Sequence, residues 1–307
     1  MIGELKALAR MNGDRLTAVP MEQIKILQRD LAKFRKKNGE LLSKYQKWIF
    51  DELYNFDAIP AHMKSVIIVA VPRPAYARVT FVLGDKTYRA FSGVAAPTDK
   101  TQGYIKMAVE GGGFEINRET RLPLKRLAVQ SGLAQYGQNN IVYVDGMGSA
   151  LALLAFSSNI PCESSARLAW RKPVISPTCD ACKICMVLCP TNAIRADKSH
   201  IDSHKCLTRL YQIPEDFPDW LPATAHHSTY YCLMCQARCP MNEGQNIIEV
   251  SFDHMETVRL LDGGPYDDAD AELKNKLALL NFGKHDVIPR NLRVLFDVMD
   301  AGHVPRL

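Results

Sequence analysis

The chain has 307 residues, 47% hydrophobic and 23% charged, with a formal net charge of +5. This is ordinary globular composition, sufficient for about two domains with buried cores, and it excludes disorder, collagen-like repeats and coiled coil as whole-chain readings. The longest apolar runs, Val66–Val71 and Ala150–Phe156, fall far below the roughly 18 residues of a membrane span. Met1–Leu16 mixes Glu4, Lys6, Arg10, Asp14 and Arg15 with short apolar stretches, so no signal-peptide core can be drawn and a cytoplasmic location is expected.

Ile24, Leu27, Leu31 and Phe34 recur at helical spacing and predict an amphipathic helix over 20–37, with Pro20 in its first turn. The segment Met21–Lys47 is basic: Lys25, Arg29, Lys33, Arg35, Lys36, Lys37, Lys44 and Lys47 stand against only Glu22, Asp30 and Glu40. A solvated helix face accounts for such a run; docking of RNA or of an acidic electron donor is the functional alternative. Ser65–Val71 is a β-branched run ended by Pro72 and Pro74, the pattern of a strand buried on both faces. Val79–Leu83, Gly84-Asp85 and Thr87–Phe91 predict a second strand, a turn and a third. Gly111-Gly112-Gly113 lacks a following Gly-Lys-Ser/Thr, so it reads as a turn and nucleotide binding is set aside. Pro123–Leu133 predicts a helix stopped by Gly132, and Ile141–Val144, Asp145–Gly148 and Ala150–Phe156 together predict a hairpin. Interleaved helix and strand signals give an α/β layer domain over 1–165.

The composition then changes. Cys179-x-x-Cys182-x-x-Cys185-x-x-x-Cys189-Pro190 has the spacing of bacterial two-cluster ferredoxins, in which three thiolates wrap one cube and the fourth reaches the other. Cys206 and Cys232-x-x-Cys235-x-x-x-Cys239-Pro240 repeat it with an insertion after the first cysteine. Eight thiols supply two 4Fe-4S clusters; by the crossover rule Cys179, Cys182, Cys185 and Cys239 hold one, and Cys189, Cys206, Cys232 and Cys235 the other. Paired structural zinc sites also use C-x-x-C, but need neither the third cysteine nor the two Cys-Pro endings. Cys162 is left over and reads as a small packing residue; His204, His226 and His227 read as surface histidines. Residues 166–250 form the cluster domain. Leu273, Leu277, Leu280, then Leu292, Leu295, Phe296 and Met299 predict two helices, separated by Gly283 and Pro289, capping it over 251–307.

Arg126-Leu-Ala-Val-Gln-Ser-Gly132-Leu-Ala-Gln-Tyr-Gly137-Gln-Asn139-Asn, Gly148-Ser149 and the two cysteine runs resemble the epoxyqueuosine reductase family and its reductive dehalogenase relatives, over roughly residues 60–245. Phe217-x-x-Trp220 and Pro289-Arg-Asn-Leu292 extend the resemblance to shorter epoxyqueuosine reductase-like iron–sulfur proteins of anaerobes. The resemblance implies an α/β (α+β) chain: a nitroreductase-like N-terminal domain, a C-terminal two-cluster ferredoxin-like module and a helical cap. It further implies an iron–sulfur oxidoreductase in which a ferredoxin or flavodoxin donates electrons that reach cobalamin or a substrate. Gly132, Gly137, Asn139, Gly148 and Ser149 would then hold the corrinoid, and Asp99, Tyr104 and Tyr136 are candidate proton donors. Ala134 and Gln138 stand where the family has Gly and Lys, and Phe91–Thr120 lacks the family's Asp-Tyr-His triplet. The short tail after Cys239 leaves no helical-repeat region for tRNA, which ranks tRNA behind the redox partners. The alternative is an electron-transfer protein that reduces a partner's corrinoid and has no substrate pocket of its own.

Overall fold

The structure, a computed structural model, describes residues 1–38, 47–162, 170–196, 201–282 and 286–307; Lys44, Glu40 and Gly283 lie outside them. Its centre is the strand predicted from the β-branched run. β2 (Ser65–Pro72) runs between β1 (Arg15–Pro20) and β8 (Leu151–Ser158), and β5 (Ile116–Glu119) completes an antiparallel sheet in the order β1-β2-β8-β5. Successive residues of β2 point to opposite faces, and both faces are covered. Val66, Ile68 and Ala70 pack with Ile24, Leu27 and Leu31 of α2 (Met21–Asn38) and with Leu127 and Ala128 of α4 (Leu124–Gln130). Ile67, Val69 and Val71 pack with Leu5 and Ala9 of α1 (Ile2–Met11) and with Ile105 and Val109 of α3 (Thr98–Gly111). Each such fully buried Val or Ile contributes about 1.5–3 kcal/mol, which is why a run without alternation settles at the middle of three layers.

Pro20 closes β1 opposite Ser65 instead of opening the helix; β1 is an edge strand, where a missing N–H is tolerated. Phe34, placed by periodicity on the apolar face, is 43% exposed because α2 outruns the sheet. The basic side chains Lys25, Arg29, Lys33, Arg35, Lys36 and Lys37 form its exposed face.

β3 (Tyr76–Leu83) and β4 (Lys86–Ser92) form the predicted hairpin, but it leaves the first sheet. β3 also pairs in parallel with β9 (Ile247–Phe252), giving the order β4-β3-β9. Three helices cover this sheet: α8 (His254–Asp262), α9 (Ala271–Leu280) and α10 (Ile288–Asp300). Phe81 stacks on Phe252 at 5.3 Å between ring centres and Tyr88 on Phe296 at 4.1 Å. Residues 76–92 therefore share a core with 247–300, and the C-terminal segment is built onto an N-terminal hairpin. α8 was not anticipated, and Pro289 lies in the first turn of α10 rather than separating the two helices.

The second predicted hairpin does not form. β7 (Val142–Tyr143) pairs with β6 (Gln135–Tyr136), whereas β8 joins the main sheet; only a Val144–Gly148 bridge links the two arms. The apolar run of β8 is drawn between β2 and β5, where both of its faces are covered. Among the described residues, no helix is long and apolar enough to cross a membrane.

Cys162 packs beside the core of α1 and α3. Cys162→Ala should keep full iron content and lose about 1 kcal/mol of stability from lost packing. Iron analysis and thermal melts check this, and loss of a cluster would contradict the role.

Candidate functional site

The two cysteine runs fold as near-copies. Pro177 opens a short turn ending at Cys179, Lys183 takes a left-handed conformation (φ 38°), and the one-turn helix α5 (Ile184–Val187) carries Cys185. In the second run Cys206 precedes α6 (Leu207–Gln212), the one-turn helix α7 (Met234–Ala237) carries Cys235, and Cys239 precedes the turn Pro240–Asn242.

The thiols sort by space rather than by sequence. Cys185 has Cys179, Cys239 and Cys182 as its electrostatic neighbours, so the last cysteine of the second run joins the first three of the first. Cys232 has Cys206 and Cys189, and Cys235 has Cys232, Cys206, Cys185 and Cys189.

These residues fit iron–sulfur cubes chemically as well. Burial pushes the Cys232 thiol up to about 12 and Cys185 up to about 11, with neighbouring thiols adding to the rise. A bare thiolate is disfavoured there; cationic iron reverses that preference. Backbone N–H groups aim at the sulfurs: Ala193 donates to Cys189 at 3.2 Å, Arg209 and Thr208 to Cys206, and Met234 to Cys232. Such donors stabilise thiolates bound to a cluster.

The insertion forms its own small core of Leu207, Leu210, Tyr211, Leu221 and Ala225. α10 grips it. The Arg290 guanidinium lies 4.1 Å from the Phe217 ring centre and donates to Leu210 O at 2.9 Å and Ile213 O at 2.8 Å, and Asn291 Nδ2 reaches Tyr211 O at 3.0 Å and Thr229 O at 2.8 Å. The Phe217 and Pro289–Leu292 motifs are thus one contact, while Trp220 is 51% exposed. His204 is exposed as expected, but His226 and His227 are buried at 4% exposure each, correcting the surface reading. His226 packs edge-on to Phe217, and burial, then His227 and Arg290, lower it to about 4.

The glycine turns expected to cradle a corrinoid meet the cluster module instead. Asn139 is 3% exposed, and its Nδ2 donates to the Tyr143 hydroxyl at 2.8 Å and to Cys235 O at 3.0 Å. Ser149 N–H donates to Asn242 Oδ1 at 2.7 Å, Asn242 Nδ2 to Ser149 Oγ at 2.8 Å, and Ser149 Oγ to Gln236 Oε1 at 3.0 Å. A Cβ on Gly137 would lie 2.6 Å from the Tyr143 ring, and one on Gly148 would strike Asn242 and the Met241 carbonyl. Asn139, Gly148 and Ser149 fasten the N-terminal layer to the cysteine loops, and Gly137 makes room for the Tyr143 ring within that layer. Gly132 (φ 79°) faces a separate cleft of about 440 Å³ with Arg10, Arg15, Ser131 and Asp145, and the Arg171 guanidinium lies against it.

The candidate proton donors are dispersed. Asp99 is exposed in the first turn of α3, where it accepts from Gln102 Nε2 at 3.2 Å. The Tyr104 hydroxyl donates to buried Asp14 at 2.5 Å, and burial, then that bond, hold the phenol far above its usual range. Burial pushes Tyr136 up to about 12; its carbonyl accepts from Ser176 N–H at 2.7 Å, beside the Cys179 loop. None of the three reaches the cleft of about 200 Å³ at the junction, which Tyr76, Ser149, Gln236, Asn242, Glu243 and Ile247 help to line. Sequence reasoning missed Tyr143 and Asn242. Asn242 lies three residues after Cys239, and Tyr143 carried no signal beyond an apolar strand.

A family model described as a 4Fe-4S double cluster binding domain matches residues 178–242. Epoxyqueuosine reductase of Cyclobacterium marinum is 29% identical over 119 residues, covering 38% of this chain and 36% of that enzyme. The Staphylococcus aureus enzyme is 30% identical over 122 residues, covering 40% of this chain and 30% of its own. Residues 178–242 thus match a double 4Fe-4S cluster domain, and the chain is similar to epoxyqueuosine reductases over about two fifths of its length. The matched stretch spans about a third of the length of these curated relatives. The solved structure of epoxyqueuosine reductase from Streptococcus thermophilus is similar with a TM-score of 0.65 at 17% identity, over 96% of this chain and 80% of that one. An epoxyqueuosine reductase solved with an epoxyqueuosine-modified tRNA-Tyr stem loop is similar with a TM-score of 0.61 at 17% identity, over 98% and 82%. At these identities the likeness establishes the fold.

Proposed function

We propose that the chain is an epoxyqueuosine reductase-like iron–sulfur reductase that relays electrons through two 4Fe-4S clusters to an acceptor at the junction of the N-terminal layer and the cluster module. The observation carrying this is the interleaving of the eight thiols into two groups of four, pressed against the Gly137–Asn139 and Gly148–Ser149 turns. Cys179, Cys182, Cys185 and Cys239 hold one cluster, and Cys189, Cys206, Cys232 and Cys235 the other. The clusters supply one-electron chemistry; the chain supplies thiolates, N–H donors and a dry contact between modules. Reduced ferredoxin or flavodoxin is the donor.

Cobalamin, implied by the resemblance, finds no cradle in Gly137, Asn139, Gly148 or Ser149, so no step is routed through it. The junction cleft of about 200 Å³ is below the roughly 300 Å³ at which pockets enclose drug-sized ligands. That observation favours a second reading, in which the chain delivers electrons to a corrinoid carried by a partner. The relative solved with a tRNA stem loop keeps tRNA among the candidate ligands, with the exposed basic face of α2 as its counterpart in charge.

An anaerobic reductive titration with reduced flavodoxin or ferredoxin tests the relay. Cluster-replete protein should take up about two electrons per chain, one for each cluster, and Cys235→Ser about one. Uptake of a single electron by the intact protein, or none from either donor, ends this reading. Calorimetry with cobalamin then separates the acceptors: saturable binding places the corrinoid on this chain, and its absence places it on a partner.

A further inference from the structure

Three guanidiniums from three segments converge on the cleft of about 440 Å³ that Gly132 faces. Arg10, in the last turn of α1, and Arg15, at the start of β1, line it. Arg15 is held by its Nη1, which donates to Asp14 O at 3.1 Å, and its Nη2 lies 3.9 Å from where a Cβ on Gly146 would stand. Arg171 enters from the segment that leads into the first cysteine run, where its N–H donates to Gln130 O at 2.8 Å. Its Nε and Cζ lie 3.2 and 3.3 Å from where a Cβ on Gly132 would stand, so the bare glycine, at φ 79°, leaves the room that this guanidinium occupies.

Like charges gathered in one cleft repel one another, and a counter-charge is needed to hold them there. The protein does not supply it. Asp145 is the one carboxylate lining the cleft, and among the described residues none of the three arginines forms a salt bridge with it or with any other acid. Even with Asp145 counted, two positive charges stay unmatched.

We infer that this cleft binds a small phosphomonoester. A phosphoryl group carries roughly −1.5 to −2 at neutral pH and three acceptor oxygens, which answers the unmatched charge and offers an oxygen to each guanidinium fork. A carboxylate or a phosphodiester brings a single negative charge and leaves the cleft positive. Leu16, Leu133 and Val144 supply apolar wall for the organic body of the ligand, and the volume lies within the roughly 300–1,000 Å³ of small-molecule sites. The cleft shares no lining residue with the junction cleft, so this site goes beyond the electron relay. Its anion ties α1 and β1 to the segment of Arg171, which continues through Ser176, bonded to Tyr136 O at 2.7 Å, into the Cys179 turn.

Calorimetry of the intact protein with phenyl phosphate, beside dimethyl phosphate as the singly charged diester, tests the inference. Phenyl phosphate should bind saturably, and more tightly at about pH 7.5 than at about pH 5.5, because a phosphomonoester gains its second charge near pH 6 and no histidine lines the cleft. Dimethyl phosphate should bind at least about tenfold more weakly, with no such pH dependence, and Arg10→Ala and Arg171→Ala should each weaken phenyl phosphate by about tenfold or more. Both arginines are exposed, so iron content and melting temperature should match the unsubstituted protein. Arg171→Lys keeps the charge without the planar fork and should give an intermediate loss, which supplies the test if Arg171→Ala is unstable. Lys33→Ala, on the exposed face of α2, should leave binding unchanged. Absence of saturable phenyl phosphate binding, or binding indifferent to both arginine variants, overturns the inference. So does dimethyl phosphate binding as tightly as phenyl phosphate, the behaviour of a site for an RNA backbone.

Discussion

Anaerobically prepared protein is expected to contain about eight iron and eight sulfide per chain, and Cys239→Ser is expected to damage the cluster that Cys179→Ser damages rather than the one Cys232→Ser damages. Sequence proximity argues the opposite, since Cys239 lies seven residues from Cys232 and sixty from Cys179. The reason is geometric. The one-turn helix α7 lifts Cys235 toward Cys232 and Cys206, with Cys185 and Cys189 as weaker neighbours, while Cys239, beyond that helix, emerges beside Cys185. Cys189 makes the reciprocal crossing behind α5. Each serine variant therefore removes one ligand of four, and the affected cube should fall to three irons or be lost, lowering iron by about one to four per chain. EPR of single variants, read as pairs, measures it. A shared phenotype for Cys189→Ser and Cys179→Ser would contradict the crossover, and stoichiometric zinc in place of iron would end the cluster assignment.

Some of this was legible in the chain because it is local. Two-residue and three-residue gaps aim sulfurs through single turns, so the cysteine runs announced their chemistry without any tertiary information. β2 was legible for a related reason: six consecutive apolar residues without alternation fit only a strand covered on both faces. What was not legible depends on partners far away in sequence. β3 alternates like a strand of any sheet, and nothing in residues 76–83 says that it pairs with 247–252 rather than with β2. α3 was missed because Gly103 and Gly111–Gly113 dilute its periodicity, although Thr101, Ile105 and Val109 form a buried stripe.

The candidate site follows the same division. The resemblance marked Gly137 and Gly148 as corrinoid contacts; in the fold the body that approaches each of them is the protein itself. A sequence shows that a Cβ is missing, not what fills the space. Asn139 and Ser149 were named through the resemblance, which carries no information on the loop that each one holds here. Tyr104 gave no sign of its commitment to Asp14, ninety residues earlier.

Gly148→Val is expected to release the cluster module from the N-terminal layer, at a stability loss of about 3–5 kcal/mol. Two effects combine. Gly148 has φ 58°, a left-handed conformation that disfavours a β-branched residue by about 1–2 kcal/mol. The new Cβ would also strike Asn242 and lie 2.6 Å from the Met241 carbonyl, a backbone atom that cannot rotate away. Moving Asn242 breaks its two bonds to Ser149 and leaves buried polar groups unpaired, at about 1–3 kcal/mol for each group stranded. Asn242 follows Cys239 by three residues and its Nδ2 also holds the Gln236 carbonyl beside Cys235, so both cysteine groups feel the displacement. Gly84→Val separates strain from contact: Gly84 has a comparable φ of 63° with open space around it, and it lies in the β3–β4 turn. The Gly84 variant should show only the backbone penalty and retain its iron, whereas the Gly148 variant should melt several degrees lower still and lose iron on gel filtration. Equal melting temperatures and iron contents for the two variants would show that the Gly148 contact does not hold the modules together.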